Sequence, residues 1–215
     1  ENWIIGCPNI IQWITATTLP LKIELFRNGV FCLTICNPVP AGMSSFTWTP
    51  FYAVVPGNDY KVKVSGLAAT DPYDFSDGNF SINLGAVSVV SPNGGEIWQI
   101  GSTHPVTWQD NICENVRIEL WKGGVFNSLI AVSVPSNGSF TWTIPANNII
   151  VPGTDYRVKI MNAATNSGTP GMISDFSDNH FTIQAGSSGI TVTTPNGGEN
   201  WIIGCPNIIQ WITAT

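Results

Sequence analysis

Charge is scarce in this chain. Only 10% of its 215 residues are Asp, Glu, Lys or Arg, against about 25% in an ordinary soluble domain. The 8 Lys and Arg against 14 Asp and Glu leave a net charge of −6. Such a balance offers no basic stripe to neutralise phosphates and excludes nucleic acid as a partner. Histidine is scarcer still, with His104 and His180 alone. A hydrolytic triad shared by the repeats would need a histidine in each, yet His104 corresponds to Asn9 and His180 to Asn79, so a histidine-based hydrolytic site is not expected. No apolar run approaches the ~18 residues of a membrane span, and no signal peptide is visible. No CxxC or Cys/His spacing suggests zinc, and no Asp-x-Asp-x-Asp-Gly loop suggests an EF-hand calcium site. No cofactor, catalytic residue or metal ligand is expected.

What the chain has is apolar bulk and repetition. Hydrophobic residues make up 43% and there are 9 tryptophans, enough to build sandwich cores. Residues 1–17 recur letter for letter as residues 199–215. A looser repeat lies inside. Pro92-Asn93-Gly94-Gly95-Glu96 matches Pro195-Asn196-Gly197-Gly198-Glu199, and Ser45-Phe46-Thr47-Trp48 matches Ser139-Phe140-Thr141-Trp142. Val55-Pro56-Gly57-Asn58-Asp59-Tyr60 matches Val151-Pro152-Gly153-Thr154-Asp155-Tyr156, and Asp74-Phe75-Ser76-Asp77 matches Asp175-Phe176-Ser177-Asp178. Landmarks recurring in one order mean two related domains. Residues 1–85 form the first, residues 86–185 the second, and residues 186–215 a linker followed by the first strands of another copy. A long array of domain pairs accounts for the exact terminal copy, as does an engineered duplication.

Strand signals with period two run through the second domain. They fall at 87–90, 103–108, 115–122, 129–134, 140–143, 156–160 and 181–183. In the third of these, Val116, Ile118 and Leu120 share one face and Arg117, Glu119 and Trp121 the other. Seven short strands with turn residues between them and no helical period predict an all-β, seven-stranded antiparallel sandwich of immunoglobulin type, in tandem. The first domain repeats the pattern at 22–26, 46–49, 59–64 and 80–82. Its opening strand, which would read like Ile190-Thr191-Val192-Thr193-Thr194, is absent from the start of this chain and present near the end. A sandwich without that strand exposes backbone groups and an apolar groove. Either the preceding unit of a continuous array or strand addition from a separate chain would complete it, and a head-to-tail contact of that kind builds filaments.

Cys205 is the second copy of Cys7, so each repeat carries four cysteines: Cys7, Cys32, Cys36 and Cys113. Two disulfides per repeat are arithmetically possible. In an extended strand Cys32 and Cys36 stand about 13 Å apart, too far for a direct bond. Their partners stay open. An oxidising, extracellular setting suits this count better than buried free thiols.

At Pro-Asn-Gly-Gly-Glu-x-Trp, Gly101 to Trp108, Arg117-Ile118-Glu119-Leu120, Ser139 to Trp142, Gly153 to Tyr156 and Ser174 to Asp178, the sequence resembles the Ig-like repeat of the Kre9/Knh1-like N-terminal domain family. The resemblance covers nearly all of 87–184, most of 1–83 and the start of a third copy. It implies an Ig-like sandwich used as a repeated extracellular module in surface proteins and secreted enzymes, without catalytic residues. The first domain departs from the pattern at Phe31 to Pro40, where Cys32, Cys36, Pro38 and Pro40 replace a polar return strand.

Two readings of function follow. The first is a non-enzymatic structural repeat of the cell surface whose partners are copies of itself, with Ile190, Val192, Trp201, Ile202, Ile203, Trp3, Ile4, Ile5 and Trp121 at strand-completion or domain contacts. Ile149 and Ile150 are expected in such contacts too. The second is an adhesive or carbohydrate-binding module whose partner is a cell-surface polysaccharide. It needs a planar aromatic strip in solvent. The Asp-Phe-Ser-Asp segments are expected to form turns held by their own backbone rather than calcium sites, and most tryptophans are expected in the core.

Overall fold

In the computed structural model, which describes residues 1–163, 172–186 and 189–213, the described residues form strands, turns and loops without helices. The first set of strands is β1 (Asn2–Ile4), β2 (Asn9–Gln12), β3 (Leu21–Arg27), β4 (Val30–Val39), β5 (Ser45–Trp48), β6 (Gly57–Gly66), β7 (Tyr73–Phe75) and β8 (Phe80–Asn83). The second is β9 (Val87–Ser91), β10 (Ile97–Gln99), β11 (Thr103–Asp110), β12 (Val116–Lys122), β13 (Val125–Val134), β14 (Ser139–Thr143), β15 (Gly153–Asn162), β16 (Ser174–Phe176) and β17 (Phe181–Gln184). The tail carries β18 (Ile190–Thr194) and β19 (Gln210–Thr213).

The second set closes into an Ig-like sandwich. One sheet runs β10-β17-β15-β12-β13 with β16 on β15, and the facing sheet runs β14-β11-β9. Alternation in β12 explains the packing. Val116, Ile118 and Leu120 are wholly buried and meet Trp108, Trp142, Val87 and Val89 of the opposite sheet in one core. Burying each such side chain contributes about 1.5–3 kcal/mol. On the outer face Glu119 is also covered, because Arg117 Nε lies 2.8 Å from one carboxylate oxygen and Trp121 Nε1 donates to the other at 2.9 Å.

The first set repeats this layout with one strand fewer. Its larger sheet is β1-β8-β6-β3-β4 with β7 on β6, but the facing layer is only β2-β5. Equivalent core residues recur: Trp3 packs edge-on to Trp48 as Trp98 does to Trp142, and Tyr60 and Tyr156 each point the hydroxyl at a carbonyl five residues upstream, Val55 and Val151. That tyrosine corner belongs to Greek-key sandwiches.

Three details differ from the sequence expectation. β10 and β16 are strands that it did not name, and β10 pairs with β17 in parallel, as β1 does with β8, inside an otherwise antiparallel set. Segment 31–40, despite its cysteines and prolines, does form the return strand, since β4 pairs with β3 from Val30 to Val39. As the outermost strand of its sheet it tolerates Pro38, which lacks an amide proton.

Candidate functional site: an open sheet edge and a joint

The facing layers show where the two sandwiches part. In the second, β11 serves two neighbours: Thr103–Thr107 pairs with β14, and Thr107–Asp110 pairs with β9. In the first, β2 pairs with β5 alone, and the continuing residues 13–17 run on without a ladder. Beneath them lies a cleft of about 530 Å³ lined by Ile11, Trp13, Ile14, Thr15, Val62, Val64, Ser65, Tyr73, Asp74 and Phe75 among others. The cleft occupies the place that β9 fills in the second sandwich. There Val87 and Val89 are 9% and 3% exposed, and the Val89 amide donates to Asp175 Oδ2 at 2.9 Å. The Asp74 carboxylate, the counterpart of that of Asp175, accepts no hydrogen bond among the described residues. Trp13 Nε1 and Ser65 Oγ, both on the cleft, are buried without partners, whereas Trp108 Nε1 in the complete sandwich donates to Asp110 and Ser136.

The tail presents the opposite situation. β18 pairs with β19 in a hairpin whose register runs Ile190↔Thr213, Thr191↔Ile212, Val192↔Trp211 and Thr194↔Gln210. Ile190 is 75% exposed and Val192 45%, and Trp201, Ile202, Ile203 and Trp211 are exposed too. The turn between these strands is self-contained, with Glu199 accepting the Asn196 and Gly197 amides at 2.7 and 2.8 Å. The Asn196 amide first, then the backbone amides of Glu199 itself and of Gly197, hold the Glu199 carboxyl below the usual range. Glu96 makes the same pair of bonds to Asn93 and Gly94.

A second feature joins the two sandwiches. Cys7 and Cys113 form a disulfide with their Cα atoms 5.0 Å apart, while Cys32, Cys36 and Cys205 are free thiols. One bond of the two allowed by counting is therefore made. Beside it Tyr52 donates to Glu114 Oε1 at 2.5 Å, and Asn162 Nδ2 donates to the Tyr52 oxygen at 2.9 Å and to Glu114 Oε1 at 3.0 Å. Burial, and then the Glu114 carboxylate, push the Tyr52 hydroxyl up to about 12. The linker folds tightly against this joint: a Cβ on Gly85 would stand 2.5 Å from Ile112 Cγ2, so only glycine fits. Sequence reasoning did not find Tyr52, Glu114 or Asn162, because none recurs at the matching place in the other repeat.

The remaining expected site residues are placed as follows. Trp3 and Ile5 lie in the first core and Ile4 is half-buried, so Trp3 and Ile5 are packing residues of their own sandwich. Ile150 is likewise buried in the second core, while Ile149 is exposed. Trp121 is half-buried, with Phe126 and Phe176 edge-on at 6.2 and 5.2 Å and Lys159 Nζ 5.5 Å from the ring. Trp211 is exposed rather than core. The Asp-Phe-Ser-Asp segments anchor strands: the Val158 amide donates to Ser177 Oγ at 2.8 Å, and Asn93 Nδ2 donates to Asp178 Oδ2 at 2.8 Å. His104 stacks on Trp98 with ring centroids 4.4 Å apart. Among the described residues no group of three or more His, Cys, Asp or Glu is placed to hold a metal ion, and no helix is long and apolar enough to cross a membrane.

No curated protein matches the chain. Fibronectin(III)-like modules of Clostridium thermocellum CbhA share 11% identity at a TM-score of 0.30, over 86% of this chain and 90% of theirs. A tetra-tandem repeat from the extending region of a large adhesion protein shares 14% at 0.35, over 84% and 46%. Bacteroides ovatus SGBP-B, solved with a mixed-linkage heptasaccharide, shares 17% at 0.31, over 92% and 48%. The chain spans about half the length of the last two. Residues 91–183, which hold nearly all of the complete sandwich, match the family model of the Kre9/KNH-like N-terminal Ig-like domain.

Proposed function

We propose that the chain is a non-enzymatic, extracellular structural repeat that assembles head to tail into a filament or stalk by completing the open edge of its first sandwich. Its domains are residues 1–85 and 86–185, with 186–215 as linker and the opening strands of a further repeat. The observation that carries this reading is the uncovered edge at 12–15 above an apolar cleft, in a chain that also displays an exposed strand, β18, of the matching sequence. Unpaired edges invite strand addition, and a contact between two different surfaces propagates instead of closing. The disulfide and the Tyr52–Glu114–Asn162 contact would make each pair of sandwiches a stiff segment of the polymer.

Electron microscopy of the purified chain tests the proposal. Fibres with an axial repeat of two sandwiches are expected, and monodisperse short rods at every concentration would sink it. A second reading, an adhesive or carbohydrate-binding module, draws on the same cleft, where Trp13, Tyr73 and Phe75 line the wall beside Asp74 and Asp77. Retention of the monomer on a polysaccharide column, lost on Tyr73→Ala, would favour it.

A further inference from the structure

The few positive charges of this chain are gathered on two surfaces. All 8 lysines and arginines lie on β3 and β6 or on β12 and β15, neighbouring inner strands of the two large sheets, where only Glu24, Asp59, Glu119 and Asp155 of the 14 acidic residues accompany them. Since Leu25, Tyr60 and Val62 are buried in the first core, the alternate residues Phe26, Lys61 and Lys63 take the outer side of the sheet. Trp121, Arg157 and Lys159 take it in the second, where Leu120, Tyr156 and Val158 are buried. A row of rings crosses each face. Its central ring, Phe26 or Trp121, is met edge-on by Phe31 at 5.8 Å or Phe126 at 6.2 Å on one side, and by Phe75 at 5.0 Å or Phe176 at 5.2 Å on the other. Directly across the ladder stands a cation, Lys61 opposite Phe26 and Arg157 opposite Trp121.

Half of these cations are neutralised locally: Lys22 by Glu24, Arg27 by Asp59, Arg117 by Glu119 and Lys122 by Asp155. Lys61, Lys63, Arg157 and Lys159, at matching places in the two sandwiches, have no carboxylate partner among the described residues. Lys61 donates to the Asp77 carbonyl at 2.9 Å, and Arg157 to the Ser177 and Asp178 carbonyls at 2.6 and 3.4 Å, which leaves N–H groups of both unused. Lys63 Nζ lies 5.9 and 5.8 Å from the Phe26 and Phe75 rings, and Lys159 Nζ 5.5 and 5.3 Å from Trp121 and Phe176. Lys159 is only 5% exposed, so it charges the row from beneath, while Phe31 and Phe126 keep 51% and 45% of their surface in solvent. We propose that this outer face binds a carboxylate-bearing polysaccharide, with one site on each sandwich. A sugar ring lays its C–H face on the exposed aromatic row, and its carboxylate takes the unused N–H groups of Lys61 or Arg157 in charge-assisted hydrogen bonds. A neutral glycan would gain the stacking alone. A nucleic acid would meet isolated pairs of cations where it needs a continuous track. The site shares only Phe75 with the cleft beneath residues 13–17, and it goes beyond the assembly reading without depending on it.

The test measures binding of the full chain to polygalacturonate by calorimetry, with the methyl-esterified polymer as its uncharged twin. Binding to polygalacturonate is expected to weaken as salt rises and to exceed that to the ester about tenfold or more, as a charge-assisted bond to the carboxylate requires. This comparison uses the parent chain and needs no variant to fold. Lys61→Gln with Arg157→Gln is expected to lower affinity for the charged polymer about tenfold and to leave the ester unaffected. Phe31→Ala with Phe126→Ala, at exposed positions, should weaken both polymers, which a face acting by charge alone would not show. Equal affinity for the two polymers, or none for the charged one, would overturn the proposal. Loss of binding on Trp13→Ala, with the Lys61 and Arg157 substitutions silent, would overturn it by placing the sugar in the cleft. Tighter binding of a DNA duplex would make the face a phosphate site instead, and salt-reversible self-association abolished by the same double substitution would assign it to a second copy. Fibres can form or fail to form in each case, so the assembly reading is judged separately by microscopy.

Discussion

The Tyr52 hydroxyl donates to Glu114 Oε1 at 2.5 Å, joining a loop of the first sandwich to the loop before β12 in the second. Asn162 donates to both partners, so a single phenol holds a three-residue contact between the sandwiches. Tyr52→Phe leaves Glu114 and Asn162 to each other and is expected to lower stability by about 1–2 kcal/mol, measured by urea unfolding followed at the tryptophans.

The same phenol gives the joint a pH signature. Its proton is held to about 12 in the folded chain against the usual 10, so the folded state favours the neutral form. The stabilisation is complete below about pH 10 and drains away as pH rises toward 12. Tyr60 and Tyr156 are shifted up as well, chiefly by burial. The expected outcome is therefore a fall in Tm above pH 10 that is shallower in Tyr52→Phe than in the parent chain. Equal slopes in the two proteins would refute the assignment.

The two cores are separate clusters, and truncations within them are expected to act locally. Ile118→Ala and Ile23→Ala each remove a side chain with no exposure and should cost about 2–5 kcal/mol. Hydrogen exchange should show Ile118→Ala loosening β12 and β15, and Ile23→Ala loosening β3 and β6. Loss of protection spread evenly over both sandwiches would count against independent cores.

Much of this architecture was legible in the sequence because it occurs twice. Trp48 and Trp142, Tyr60 and Tyr156, and the alternation from Val116 to Leu120 announce themselves through landmarks and period. β10 and β16 escaped because three residues cannot display an alternation. β4 was obscured by Cys32, Cys36 and Pro38, residues that an edge strand accommodates where an inner strand would not. The joint left almost no trace: Tyr52 and Glu114 are single residues in loops, and hydrogen bonds between them need three-dimensional proximity that no spacing encodes. The disulfide did leave a hint. Cys7 aligns with Ser102 and Cys113 with Thr18, so a pairing repeated inside each domain was never available. Exposure of Trp211, against the core position of Trp108, reflects a strand of the right sequence with no facing sheet to pack on.

The bond between Cys7 and Cys113 also fixes how the chain would respond to being pulled from its ends. Tension entering at Glu1 reaches Cys7 after a few residues and crosses directly to Cys113, so β2 to β8 of the first sandwich, together with β9 to β11 of the second, lie in a loop outside the line of force. In a single-molecule stretching experiment the oxidised chain is expected to lengthen only by its segments outside that loop. Reduction should add roughly 380 Å, the reach of the 106-residue separation at about 3.6 Å per residue. A covalent bypass of this kind would let a fibre bear strain while its strand-accepting half stayed folded.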